Sequence, residues 1–313
     1  MIRQASPQTP RAVVMIRPHR FSPNPATAHD NVFQRVDTSR GEGKLAKDAY
    51  DEVTAAARQI EAAGVTVHLF EDEGEDTPDS VFPNNWFSTH AGGHVAIYPM
   101  VAENRRLERR SDIIDMLKRC YRVQDVIDYS GLEQDSVYLE GTGAMVLDHL
   151  DRVAYAACSN RTDPVALERF CTHFNFEPMA FDASDHSGRS IYHTNVLMTL
   201  GEGFALVGLD LMSDVRRRTE IQQRLAATGR DVIELTATQI NEFAGNALEL
   251  DGGGHRVTAM SQRGLRSLSP DQLARLERVT SLLPLDIPTI ELAGGSVRCM
   301  LAGIHLTARP KAA

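Results

Sequence analysis

Hydrophobic positions along the chain follow two alternating patterns. Apolar residues at three- and four-residue spacing predict helices over about 45–63, 105–120, 163–175, 213–228 and 269–283. The last opens on Ser269-Pro270-Asp271, a helix-start signal. Each helix is followed by a short β-prone run: VTVHLF, VQDVIDY, FEPMAF, DVIELT and IPTIEL. Next comes an alternating stretch broken by turn residues. WFSTHAGGHVAIYP turns at Gly92-Gly93, GAMVLDHLDRVAYAA near His149–Asp151, NVLMTLGEGFALVG at Gly201–Gly203 and ALELDGGGHRVTAMS at Asp251–Gly254. The fifth unit supplies one such strand, CMLAGIHL, and its missing partner is the first strand, AVVMIRP at 12–18.

The chain therefore reads as five α/β units, with first and last strands paired to close a pseudo-symmetric five-unit α/β ring. A doubly wound sheet is the rival. It requires single strands alternating with helices and a glycine-rich phosphate turn, and neither is present. Asp251-Gly252-Gly253-Gly254 is a hairpin turn, since no helix N-terminus follows it. The boundaries expected are a disordered lead-in over 1–10, one catalytic domain over 11–308 and a tail over 309–313.

The segments just before each hairpin's first strand read FPNNW, YLEGTG, YHTN, GNALE and VRCML. One polar residue from each gives Asn85, Glu140, His193, Asn246 and Cys299, at intervals of 55, 53, 53 and 53 residues. In a ring of like units, residues of equal phase converge on one axis. Singly, each has an ordinary explanation. A cysteine in an apolar run is usually a small buried hydrophobe, and asparagines before strands are turn formers. Together they form a thiol, an imidazole, a carboxylate and two amides, the set that cysteine-based nucleophilic catalysis uses. Gly294-Gly295 leaves room near Cys299 for a substrate close to the backbone.

Composition narrows the class. The net charge of −9 and the lack of a long basic run argue against a nucleic-acid partner, and Arg105–Arg110 reads as a solvated helix face. No stretch approaches the roughly 18 consecutive apolar residues of a membrane span, so no membrane partner is expected. Cys120, Cys158, Cys171 and Cys299 show no CxxC pairing, which suggests neither a zinc site nor a disulfide framework. A reducing cytoplasm is the expected location, with no metal or organic cofactor; a homodimer is compatible.

FPNNWFSTH, LEGTGAMVLD, YHTNVLM, NALELDGG and GGSVRCM resemble the amidinotransferase and arginine-deiminase superfamily, whose fold is the pentein propeller. The resemblance runs over about residues 11–307, and FPNNW with RPHRFSPNPATAHDNVFQ is most similar to the citrulline-utilisation hydrolases. It implies Cys299 as nucleophile, His193 as acid/base and Glu140 as the substrate-binding glutamate. Guanidine-processing members grip the cation with two aspartates. Here those positions are amides, within Phe82-Pro83-Asn84-Asn85 and at Asn195. An amide both donates and accepts, as a neutral ureido group requires, whereas carboxylates suit a guanidinium.

The expected reaction is hydrolysis of a ureido group, citrulline giving ornithine, carbon dioxide and ammonia through a thiocarbamate on Cys299. The alternatives are an arginine deiminase or dihydrolase acting on a guanidino group and, from another class, a non-catalytic pentein binding protein. Asn84, Asn85, Asn195, Asn246 and Phe82 are the expected substrate contacts. Arg189 is a candidate for the α-carboxylate, with Arg298 a weaker one, and Arg17–Phe33 is a candidate loop over the pocket.

Overall fold

A computed structural model describes residues 7–37 and 39–310 of the 313-residue chain. Its strands are β1 (Ala12–Pro18), β2 (Thr66–Asp72), β3 (Phe87–His90), β4 (His94–Ile97), β5 (Asp125–Asp128), β6 (Met145–Asp148), β7 (Val153–Ala157), β8 (Glu177–Phe181), β9 (Met198–Leu200), β10 (Phe204–Val207), β11 (Asp231–Glu234), β12 (Leu248–Asp251), β13 (Arg256–Ser261), β14 (Ser281–Leu285) and β15 (Ala302–Gly303). They form five separate three-stranded sheets, β15-β1-β2, β3-β4-β5, β6-β7-β8, β9-β10-β11 and β12-β13-β14.

Each sheet is built to one plan. A middle strand pairs antiparallel with its hairpin partner and parallel with a strand that returns after a helix. In the fifth sheet the hairpin partner comes from the far end of the chain: Val13 pairs with Gly303 and Val14 with Ala302. The parallel returns run over the helices Glu42–Ala62, Ser111–Cys120, Pro164–Phe174, Val215–Ala227 and Pro270–Glu277, as a parallel crossover requires. These helices turn their apolar stripes inward; Ala49, Val53, Ala56 and Ile60 of the first are all buried.

Three expectations are corrected. The helix expected over 105–120 is broken into Glu103–Arg106 and Ser111–Cys120. The helix expected over 269–283 ends at Glu277, and the strand after it is Ser281–Leu285 rather than IPTIEL, whose Ile290–Ala293 forms a single 3-10 turn. Finally, part of the lead-in is ordered: Gln8 is buried and its Nε2 donates to Leu147 O and Leu200 O at 3.1 and 3.2 Å. Residues 1–6 of that lead-in and 311–313 of the tail lie outside the described residues, while Arg309 is tied to Cys120 O and Tyr121 O.

The units are stitched together by the segments that precede their hairpins. Thr142 Oγ1 donates to Asn84 O at 3.2 Å, Thr194 Oγ1 to Ala144 O, and Asn246 Nδ2 to Asn195 O at 2.9 Å. Arg298 N donates to Asn246 Oδ1 at 2.9 Å, and Gly295 lies so close to the Phe82 ring that a Cβ would strike it. Each unit thus touches the next, and the fifth returns to the first.

Candidate active site

Four of the five in-phase residues sit in or just before a single helical turn: Pro83–Asn85, Gly141–Ala144, Thr194–Leu197 and Val297–Met300. The fifth, Asn246, follows the short helix Ala237–Asn241. All five are buried. Cys299, His193, Asn85 and Phe82 line one narrow pocket together with Asn31, Asp79, Arg105, Arg161 and Tyr192. The convergence expected from sequence phase is therefore seen.

Two amides hold the sulfur. Asn195 Nδ2 lies 3.2 Å and Asn246 Nδ2 3.3 Å from Cys299 Sγ. N–H donors aimed at sulfur are the partners a thiolate accepts. Asn195 and Asn246 thus hold the Cys299 thiol rather than lining the pocket beside it. Asn84 lies beneath the site, fully buried, with its carbonyl taken up by Thr142. Asn85 is oriented by its neighbours: its amide oxygen accepts from Arg105 Nη1 and Nη2 at 3.0 and 3.1 Å, and its nitrogen donates to Asn84 Oδ1 at 3.1 Å.

His193 Nε2 and Glu140 Oε2 are 2.8 Å apart, with both residues buried. Burial lowers the imidazole below the usual histidine range, and the Glu140 hydrogen bond and charge work against that. The resting ring is therefore neutral near pH 7, able to take a proton. For Glu140, burial opposes ionisation, but Arg161, His193 and Arg105 outweigh it and hold the carboxyl well below its ordinary range. Its Oε1 accepts from Val101 N at 3.0 Å, so the acid is fixed at both oxygens.

Gly143 is required by this crowding. A Cβ there would lie 2.2 Å from the Asn85 amide and 2.9 Å from the His193 ring.

Sequence reasoning missed the charged rim of the pocket. Arg105 is buried, not solvated: it makes two 2.9 Å bonds to Glu108 and approaches Asp79 Oδ2 at 3.6 Å. Arg161 binds Asp30 through Nε at 2.9 Å, reaches Glu140 Oε2 at 3.5 Å and covers the Tyr192 ring. Asp79 Oδ1 is buried with no hydrogen-bond partner among the described residues, and burial raises its pKa against the pull of Arg105. One signal was available. Arg105 and Arg161 lie 20 and 21 residues after Asn85 and Glu140, so they too share a phase.

Arg189 is corrected: it is exposed and paired with Asp185, away from the pocket. Arg298 turns from the thiol pocket into a different cavity. The Arg17–Phe33 segment does cover the site. Asn31 lines the pocket and donates to Ala293 O at 2.9 Å, Asn24 binds Asp79 at 2.8 Å, and Asp30 holds Arg161.

A family profile described as N,N dimethylarginine dimethylhydrolase, eukaryotic, matches residues 17–306. The chain belongs to this family. It is thereby a pentein, and a C–N bond hydrolase. Solved structures share the fold. The N-terminal domain of ArgZ, an arginine dihydrolase from the ornithine-ammonia cycle in Cyanobacteria, superposes with a TM-score of 0.72 at 16% identity over 94% of this chain and 97% of that one. AgrE in a complex with L-arginine gives 0.73 at 15% identity over 96% and 41%. A dimethylarginine dimethylaminohydrolase bearing an S-methyl-L-thiocitrulline adduct gives 0.64 at 15% over 94% and 100%. The comparison with curated protein sequences finds no match. The family description names a methylated arginine, not citrulline. Among the described residues no helix is long and apolar enough to cross a membrane.

Proposed function

We propose that the chain hydrolyses the guanidino group of a free arginine-type amino acid, arginine or an N-methylated arginine, at Cys299 on the axis of a closed five-bladed propeller. The charge around the thiol pocket carries this reading. Four acids, Asp30, Asp79, Glu108 and Glu140, face only two guanidinium groups, Arg105 and Arg161. Burial raises Asp79 and pushes Glu108 up to about 7 despite Arg105, so an incoming cation is favoured because it lets them ionise. Arginine brings a net positive charge, citrulline none. The profile match and the arginine-linked names of the structural neighbours agree with it.

In this reading the α-carboxylate meets Arg161 and Arg105, and the α-ammonium meets the free oxygen of Asp79, an arrangement suited to two groups one carbon apart. His193 takes the thiol proton. The sulfur attacks the guanidino carbon, forming a C–S bond, while ammonia or a methylamine leaves with the proton from His193. The neutral ring then deprotonates water, which attacks the same carbon; the C–S bond breaks, the sulfur departs as thiolate, and a ureido product forms. Glu140 stabilises the imidazolium at each stage.

The amide of Asn85, which lines the pocket where a carboxylate would suit a guanidinium, favours a second reading, hydrolysis of a ureido group, alone or as a continuation from arginine to ornithine. The deciding measurement incubates the full chain with arginine, dimethylarginine, citrulline and agmatine and assays ammonia, methylamines and amino-acid products. Turnover of arginine or dimethylarginine but not of agmatine, which has no α-carboxylate, supports the proposal. Turnover of citrulline alone overturns it in favour of the ureido reading. Cys299→Ala is expected to abolish every activity.

A further inference from the structure

Arg298 immediately precedes Cys299, yet its side chain serves something else. It lines a second cavity, of about 40 Å³, with Gln8, Thr89, Thr199, His149 and His305, room for about three waters or one small ion. No aspartate or glutamate lines this cavity, and among the described residues no carboxylate pairs with Arg298. The guanidinium makes one hydrogen bond, Nη1 to Leu301 O at 2.9 Å. The residue is half-buried and lines the cavity, and its surroundings are dense enough that burial pulls it down to about 10. A buried guanidinium without a counter-charge is strongly unfavourable unless something neutralises it.

The other polar groups of the wall divide clearly. Thr89 Oγ1 donates to Gly303 O, Thr199 Oγ1 to Gly245 O and Ala247 O, and Gln8 Nε2 to two carbonyls. Those donors are already taken. Neither ring nitrogen of His149 has a hydrogen-bond partner among the described residues; the ring stacks on His305 at 4.1 Å. Burial and the neighbouring cations keep both rings neutral near pH 7, His305 at about 4. His149 and His305 also line an outer hollow with Pro7, Thr9 and Arg11, so the stacked pair stands between the cavity and the surface. The cavity offers a fixed positive charge, a free imidazole and a route in.

We propose that this cavity is a binding site for one small inorganic anion, of chloride to bicarbonate size, held by Arg298 and His149 and separate from the Cys299 pocket. The site does not depend on which substrate Cys299 attacks.

The test uses the full chain and chloride as probe. The width of the chloride NMR line is measured with added protein, then with bromide as competitor. Wild type is expected to broaden the line, bromide to reverse the broadening, and Arg298→Met to weaken it about tenfold, whereas Arg189→Met, at an exposed arginine outside both cavities, leaves it unchanged. Equal broadening by wild type and Arg298→Met overturns the site. Should Arg298→Met not fold, the anomalous signal of bromide in wild-type crystals decides instead. A peak beside the Arg298 guanidinium, together with broadening that bromide reverses, supports the site. Peaks only elsewhere, or a peak with no broadening in solution (an adventitious ion only), overturn it.

Discussion

At the scale of the residue, the site depends on a neutral imidazole poised against a fully ionised acid. Burial lowers His193, and Glu140 raises it by hydrogen bond and charge. In Glu140→Gln the charge is lost and the hydrogen bond that remains is to a neutral acceptor, so the ring gains its proton only at lower pH. The acid limb of the pH profile of kcat/KM is therefore expected to shift to lower pH. Because the imidazolium loses its support, kcat is expected to fall by about 100-fold or more. An unshifted limb would mean that another group controls it. The candidate trio of Cys299, His193 and Glu140 was legible because it keeps phase through a repeat, and phase survives without knowledge of contacts. Asp79, Arg105 and Arg161 were not. A lone arginine in a run such as Arg105–Arg110 has the same letter whether it faces water or Glu108. Only the spacing of about 20 residues from Asn85 and Glu140 distinguishes it.

At the scale of the element, the short turns before each hairpin set positions that their own side chains cannot adjust. Gly143→Ala places a methyl against the Asn85 amide and the His193 ring. Its backbone is helical, so strain falls on those two neighbours rather than on the fold. Activity is expected to fall at least tenfold with a melting midpoint close to wild type. A second element-scale test is the pair Arg230–Asp148, which is fully buried and joins the last residue of β6 to the residue just before β11. Arg230→Met removes the counter-charge of Asp148, whose Oδ1 still accepts from Leu150 N and Asp151 N, and is expected to destabilise by about 3–5 kcal/mol in denaturant titration; adding Asp148→Asn, which removes the unpaired charge and keeps an acceptor for those amides, should restore part of that. Strand choice was the weakest reading from sequence. Both SLLPL and IPTIEL are β-prone, and Pro284 speaks against the former. The observed strand is nevertheless β14, at the edge of its sheet, where proline is tolerated. Leu276, Leu282 and Leu283 keep helical spacing, which carried the expected helix past its true end at Glu277.

At the scale of the whole molecule, the fold is a succession of like units in which each core is shared. Four apolar clusters are found, and each draws on more than one sheet or on the helices between sheets. The hydrogen bonds from Thr142 to Asn84, Thr194 to Ala144 and Asn246 to Asn195 pass the position of one catalytic segment to the next. The fifth sheet is the exception that matters: β15 and β1 come from opposite ends of the described chain and lie side by side. A contact of this kind has no preferred starting point. Joining the ends through a short flexible linker and cutting instead between Ala91 and Gly92, at the exposed tip of the β3–β4 hairpin, is expected to give a circular permutant that folds, melts cooperatively and retains turnover. Loss of cooperative melting would show that β1 must be made first. Retention would mean that the pairing of β1 with β15, rather than the order of their synthesis, specifies where the thiol sits.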